Sequence, residues 1–128
     1  MGPSPEGRAE FGYYTLTATE TGKNLLPNHF RVTQAHYHGF SAPDGATILA
    51  GTDAFPCQAF ALGETTYGFQ FHPECSWQNF RRWQDKAQPL YTHAGSQTRE
   101  KQDQLAGDAH PAQAKWLEQF LDRLVGPA

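Results

Sequence analysis

The chain has 128 residues, which is enough for one domain with a modest core and too few for two ordinary ones. Hydrophobic residues make up 38% and charged residues 18%, a composition typical of a folded chain rather than a disordered one. The formal net charge is −3 and no basic run exceeds the pair Arg81-Arg82, so the charge pattern argues against a nucleic-acid partner. Because no apolar run could span a bilayer and no secretory leader is recognisable, we expect a soluble, cytoplasmic protein.

The chain divides by local pattern into a lead-in, a strand-rich region and a helical tail, which we expect to form a single domain. Residues 1–9 are rich in Gly and Pro and predict an irregular lead-in. Residues 10–75 carry aromatic and β-branched runs separated by turn signals such as "SAPDG" and "GETT". The predicted strands are "FGYYTLTAT", "HFRVTQAHYHGF", "ATILAG", "CQAFAL" and "YGFQFH".

Helical patterns replace strand patterns in residues 76–128. Ser76 is a suitable N-cap for a helix with Trp77, Phe80 and Trp83 at three-residue spacing. Residues 97–106 tolerate a helix but have almost no apolar face. The last helix is predicted to begin with Pro111 in its first turn and to end at Gly126-Pro127. The face of that helix is Trp116, Leu117, Phe120, Leu121 and Leu124.

The stretch 67–74, "YGFQFHPE", combines a strand pattern with a His–carboxylate pair. Alternate side chains of a strand point to opposite faces, so the three aromatic residues share one face. The other face leads to His72, and Glu74 follows two positions later, beyond a proline that should end the strand. The pattern predicts a buried aromatic face and a strand end that presents His72 beside Glu74.

This octapeptide resembles the C-terminal signature of class I glutamine amidotransferases, in which a GxQFHPE stretch supplies the histidine and glutamate of a Cys–His–Glu triad. The resemblance extends from about residue 10 to about residue 80 through "HYHGF", "APDG", "LAGT" and "FPCQAF". Among relatives it is nearest in character to the GMP-synthase-like group. It implies an α/β, flavodoxin-like domain in which a mixed sheet of four to six short strands is followed by helices.

The resemblance also implies an activity and a set of site residues. The reaction would be hydrolysis of the L-glutamine side-chain amide to glutamate and ammonia, with the ammonia often passed to a synthetase partner, and it implies no cofactor. His72 would be the catalytic base and then acid, and Glu74 the carboxylate that orients it. His38, Gly39 and Phe40 would lie where the family holds the α-amino and α-carboxyl ends of glutamine.

The chain departs from the family at the nucleophile. The family places its cysteine in a G-x-C-x-G elbow, and no such elbow occurs in this sequence. Cys57 and Cys75 lack flanking glycines, and neither fits a zinc or disulfide pattern, so both are interpreted as ordinary thiols in a reducing compartment. We expect the chain to be the C-terminal part of the domain, inactive alone, with an exposed sheet surface suited to self-association or to a missing N-terminal half.

Three other interpretations remain open at this stage. His36 and His38 share a strand face and could join His72 in a metal site, although no suitably placed carboxylate follows them. The alternating aromatics of the signature resemble strands on which RNA bases stack, but the acidic balance opposes this. A truncated, non-catalytic interaction protein that keeps the fold is the stronger alternative.

Overall fold

The computed structural model describes residues 2–3 and 7–125. Within them the chain alternates short strands with tight turns and then forms helices. The strands are β1 (Gly2–Pro3), β2 (Glu10–Thr15), β3 (Thr17–Ala18), β4 (Arg31–His36), β5 (His38–Gly39), β6 (Thr47–Gly51), β7 (Ala59–Leu62) and β8 (Thr66–Phe69). The helices are α1 (Trp77–Lys86), α2 (Arg99–Val125) and two 3₁₀ segments, Gly22–Asn24 and Gln88–Thr92.

The described strands pair antiparallel in three small sheets. β1 pairs with β5, β2 pairs with β4 along six residues, and β3, β6, β7 and β8 form a four-stranded sheet in that order. Short turns explain this pairing: Gly63, at φ 71°, begins the "GETT" turn between β7 and β8. The α/β class is confirmed, whereas the described strands form three antiparallel sheets rather than one mixed sheet.

Helix α1 begins where the sequence predicts. Ser76 Oγ accepts a hydrogen bond from the Asn79 amide at 3.1 Å, which satisfies one of the unpaired donors of the first turn. Phe80 is fully buried, and the partly buried rings of Trp77 and Trp83 flank it. The three-residue spacing of aromatics therefore does mark the buried face of this helix.

Helix α2 is longer than the sequence predicts, and the predicted start at Pro111 is wrong. Pro111 lies inside a helix of 27 residues, where it cannot donate to the Gly107 carbonyl. The missing hydrogen bond lowers the stability of the helix, and a continuous stripe of buried residues offsets that loss. The stripe consists of Gln102, Ala106, Ala109, Gln113, Trp116 and Phe120. Two of these buried residues are glutamines, so the spacing of apolar residues predicts only the C-terminal half of the helix.

The glutamines of α2 hold the helix to the strands on both sides of Pro111. Gln102 Nε2 donates to the Phe11 carbonyl at 2.8 Å. The Gln113 side chain accepts from the Thr33 amide and donates to the Thr33 hydroxyl, both at 2.8 Å. These bonds keep the helix continuous through the proline. Among the described residues, no helix is both long and apolar enough to cross a membrane.

The aromatic face of the signature lies in the core between the four-stranded sheet and the C-terminal half of α2. Phe71 is 3% exposed, and its ring lies 6.1 Å from that of Trp116. Phe69 contacts the Trp116 and Phe120 rings, and Tyr67 also packs on Phe120. The predicted face packs against the core, where Phe71 is buried and Tyr67 and Phe69 are partly buried. Because these rings are in the core, they form no open platform on which RNA bases could stack.

A second core cluster joins β2 to the helices. Phe11 and Tyr13 pack on Phe80 with ring centroids 5.4 and 4.9 Å apart. The backbone of Tyr13 is bonded in both directions by Gln97, whose Oε1 accepts from the amide and whose Nε2 donates to the carbonyl. The Gln97 side chain thus lies against β2 beside Gly12, at the place where a neighbouring strand would bond.

Gly12 is required for this arrangement, which gives a testable contrast between two glycines. Its φ is 139°, and a Cβ there would lie 2.1 Å from Gln97 Oε1. We expect Gly12→Ala to lower the free energy of unfolding by about 1–3 kcal/mol, because it strains the backbone and displaces Gln97 from two hydrogen bonds.

The control is the same substitution at Gly107 in α2, where a Cβ would meet nothing within 4 Å. Gly107→Ala should raise the free energy of unfolding by roughly 0.5–1 kcal/mol. Urea unfolding of the two variants measures both changes. A loss of stability at both positions, or at neither, would contradict the role given to Gly12.

Candidate functional site

The signature stretch passes from one sheet to another, and this crossing positions the His–carboxylate pair. β8 ends at Phe69, three residues before the predicted strand end at His72. The Gln70 amide then donates to the Gln58 carbonyl, and the His72 amide donates to the Thr33 carbonyl on β4 at 2.9 Å. The chain therefore exchanges its partner strand between residues 70 and 72. This exchange fixes the backbone of His72 against β4.

His72 and Glu74 contact each other as the sequence predicts. His72 Nδ1 lies 3.0 Å from Glu74 Oε1. Because a carboxylate only accepts, Nδ1 carries the proton in this bond and Nε2 of the neutral ring is left as a base. The His72 side chain is 37% exposed and its ring packs edge-on against Trp83 at 5.1 Å. The imidazole is thus oriented on one side and reachable from solvent.

The three residues predicted to bind substrate lie just beyond β4. His38 and Gly39 form β5, and all three residues are partly buried. The Phe40 ring packs edge-on against Phe60 at 5.7 Å, so it is used in packing. Within residues 2–3 and 7–125, no hydrogen bond joins this segment to the His72–Glu74 pair. Strand β4 connects the two groups, because its Thr33 carbonyl accepts from the His72 amide and its end leads into β5.

A buried polar network beside β4 was not predicted from the sequence. Glu10 is 3% exposed, and Gln34 and Gln58 are fully buried. Gln58 Nε2 donates to Glu10 Oε1 at 2.7 Å, and Gln34 Nε2 donates to Gln58 Oε1 at 2.8 Å. Single polar residues in strands usually face solvent, so nothing in the local pattern marks these as inward-facing.

Neither cysteine in this chain has the surroundings of a nucleophile. Both are free and buried. Burial raises the pKa of the Cys75 thiol to about 12, and the adjacent Glu74 carboxylate adds to the rise. Burial also raises the pKa of the Cys57 thiol. A reactive thiol needs a lowered pKa and an accessible sulfur, so the structure agrees with the interpretation of both as ordinary thiols.

Because both thiols are buried and have raised pKa values, we expect them to react slowly with alkylating reagents in the folded chain. At neutral pH we expect iodoacetamide to alkylate Cys57 and Cys75 at least about tenfold more slowly than a small free thiol, because the thiolate is scarce and the sulfur is covered. Mass spectrometry of timed samples measures the rates, and unfolding in urea should abolish the difference. Rapid modification of Cys75 in the folded state would show that the thiol is activated.

The metal-site alternative finds no support in the described part of the chain. There, no three His, Cys, Asp or Glu side chains come together in a group that could hold a metal ion. His36 is engaged with Glu10 and the His38 carbonyl, and His72 with Glu74. The ring nitrogens that face acceptors in these contacts are not free to bind a shared ion.

The chain is similar to several known proteins, although no protein-family model matches it. It is 40% identical over 76 residues to the glutamine amidotransferase-like protein YfeJ of Salmonella typhimurium, covering 56% of this chain and 31% of that protein. It is 37% identical over 73 residues to a glutamine-hydrolysing GMP synthase of Streptomyces avermitilis, covering 53% of this chain and 14% of the relative. The crystal structure of a Methylobacillus flagellatus glutamine amidotransferase superposes with a TM-score of 0.84 at 20% identity, covering 96% of this chain and 53% of that one.

The superposition shows that the chain has the fold of the solved glutamine amidotransferases, and the sequence similarities support its resemblance to the class I family. Two of the similar proteins are GMP synthases. The chain spans about a third of the YfeJ protein and about half of the superposed structure.

Proposed function

We propose that this chain supplies the histidine and glutamate of a glutamine amidotransferase site that hydrolyses L-glutamine to glutamate and ammonia. The observation that carries the proposal is the 3.0 Å contact between His72 Nδ1 and Glu74 Oε1, which leaves Nε2 as a base on a partly exposed ring. The sequence similarity to proteins named for glutamine amidotransfer and glutamine hydrolysis supports the choice of substrate.

The proposed chemistry uses His72 twice. Its Nε2 would accept the proton of a cysteine thiol, and the thiolate would attack the amide carbon of glutamine. The same nitrogen would then return the proton to the departing ammonia, which leaves a glutamyl thioester. A water molecule, deprotonated by Nε2, would attack the thioester carbon; the C–S bond would break, Nε2 would return the proton to the cysteine sulfur, and glutamate would be released. Glu74 would hold the ring orientation and stabilise the imidazolium in each half-reaction.

We propose that the nucleophile comes from polypeptide outside these 128 residues. Cys75 follows the dyad directly, but its raised pKa and its burial oppose attack on a substrate. Its Sγ donates to the Ser76 carbonyl at 3.3 Å. Cys57 is likewise buried with a raised pKa. On this proposal the 128-residue chain alone releases no ammonia from glutamine.

We further propose that His38, Gly39 and Phe40 contribute to holding the α-amino and α-carboxyl groups of glutamine. The ammonia acceptor would be a substrate of a synthetase partner, as the similarity to GMP synthases suggests. The mechanism requires no cofactor. The cytoplasm is the location we propose, because both cysteines are free thiols and a reducing compartment preserves them.

The experiment begins with the DNA upstream of the Met1 codon. If it encodes a strand and a G-x-C-x-G turn in frame, the longer protein is expressed beside the 128-residue chain, and both are assayed for glutamate and ammonia. We expect equal amounts of the two products from the longer protein and neither from the shorter. Hydrolysis by the 128-residue chain, or none by the longer protein when it is folded, would contradict the proposal.

A second candidate function is association without catalysis. Ile48 on β6 and Leu62 on β7 are 42% and 37% exposed, and they belong to adjacent strands of the four-stranded sheet. This surface could pair two copies or receive another chain. A stop codon close upstream of Met1, together with a concentration-dependent molecular mass, would favour this function.

A further inference from the structure

The Glu10 carboxylate is buried and bonded at both oxygens. Oε1 accepts from Gln58 Nε2 at 2.7 Å and faces His36 Nε2 at 3.0 Å. Oε2 accepts from the Thr52 hydroxyl at 2.7 Å. Hydrogen-bond donors on both oxygens suit the ionised carboxylate, and a buried charge is stable only when it is bonded and balanced. The group that can balance it through a direct contact is the His36 ring.

His36 places both ring nitrogens against acceptors. Nε2 faces the Glu10 carboxylate, and Nδ1 lies 2.9 Å from the His38 carbonyl oxygen. A carbonyl oxygen and a carboxylate oxygen can only accept, whereas a neutral imidazole has a single N–H. With Glu10 ionised, both bonds therefore form only if the ring carries two protons. The side chain is 8% exposed, and the Phe55 ring lies edge-on to it at 4.5 Å.

The bond from His36 Nδ1 to the His38 carbonyl reaches the segment that is proposed above to hold glutamine. The His38 carbonyl belongs to β5, a strand of two residues that pairs only with Gly2–Pro3 in the described part of the chain. Phe55 contributes from the other side, because a Cβ on Gly39 would lie 2.8 Å from its ring. Thr52 connects the two supports: its hydroxyl donates to Glu10, and its amide donates to the Phe55 carbonyl.

We propose that His36 is a positioning residue: a doubly protonated imidazole, held by the buried Glu10 carboxylate, that fixes the main chain of His38 and Gly39. The consequence for glutamine rests on the proposed function, since it assumes that this segment contacts the substrate. The protonation state and the tethered segment are properties of the 128-residue chain itself. Neither property depends on a cysteine, and the described residues contain no group of side chains that could hold a metal ion.

The first test measures the protonation state of the His36 ring directly. Long-range ¹H–¹⁵N NMR of the 128-residue chain at pH 7.5 distinguishes a ring with two protonated nitrogens from a ring with one. We expect two for His36 in the wild type and one in Glu10→Gln, with a shifted Gly39 amide in the variant. Thr52→Ala, which keeps the carboxylate, is the matched control and should retain two. An unprotonated ring nitrogen on His36 in the wild type overturns the proposal. This result does not depend on whether a variant folds.

The second test uses the glutamine-hydrolysing longer protein. Glu10→Gln should raise the KM for glutamine about tenfold, a loss equivalent to one well-placed hydrogen bond, with kcat within about threefold of the wild type. A fall in kcat with an unchanged KM would contradict a positioning role in substrate binding. If the wild type hydrolyses no glutamine, the proposed function fails, while the NMR result still decides the state of His36.

Discussion

Replacing His72 by asparagine should lower kcat for glutamine hydrolysis by roughly 10³-fold or more in the longer protein that carries the nucleophile. Asparagine keeps a polar group near Glu74, but its amide cannot accept a proton from a thiol and return it to ammonia. The KM should change far less than kcat, because the role of His72 is in proton transfer. Initial rates of glutamate release over a range of glutamine concentrations separate the two constants.

The matched control is His29→Asn. His29 is exposed and has a φ of 55°, a conformation that asparagine adopts readily. The substitution therefore makes the same chemical change at a histidine that lies outside the proposed site, and kcat should stay within about twofold of the wild type. If His72→Asn keeps more than a tenth of the wild-type kcat, His72 is not the base of the reaction.

Replacing Phe71 by alanine should lower the free energy of unfolding by about 3–5 kcal/mol, the cost of removing a buried phenylalanine from a packed core. Phe71 is 3% exposed, and the rings of Phe30, Phe69 and Trp116 surround it. It also directly precedes His72, so the cavity would loosen the backbone that holds the dyad. Urea denaturation of the 128-residue chain measures the loss.

Two further variants keep this prediction testable if Phe71→Ala does not fold. Phe71→Leu leaves a smaller cavity and should cost clearly less than the alanine variant. Leu121→Ala on α2 removes a side chain that is 45% exposed and should cost less than about 1 kcal/mol. Equal losses from Phe71→Leu and Leu121→Ala would mean that the aromatic face of the signature is not a principal part of the core.

The sequence predicts the contact between His72 and Glu74 because the information for it is local. His72 and Glu74 are two residues apart, so the contact between their side chains depends only on a short stretch of chain. The Ser76 cap and the α1 stripe are local in the same sense, since each depends on residues within one or two helical turns. Features of this kind need no knowledge of which strands pair.

The sequence does not predict features that depend on distant partners. Glu10 and Gln58 are 48 positions apart, and each alone resembles a solvent-facing polar residue. The full length of α2 is hidden for the same reason: Gln102 and Gln113 are buried because they bond to Phe11 and Thr33, which belong to distant strands. Without those partners, the exposed-looking pattern of residues 97–106 and the proline at 111 favour a shorter helix.

The measurement that tests the central claim most directly identifies the nucleophile. The protein, isolated at its natural length from its own cells, would be treated with a glutamine analogue whose side-chain amide is replaced by a chloromethyl ketone. Mass spectrometry would then locate the alkylated cysteine. We predict a cysteine outside residues 1–128, unmodified Cys57 and Cys75, and loss of the label in His72→Asn. Alkylation of Cys57 or Cys75 would contradict the account.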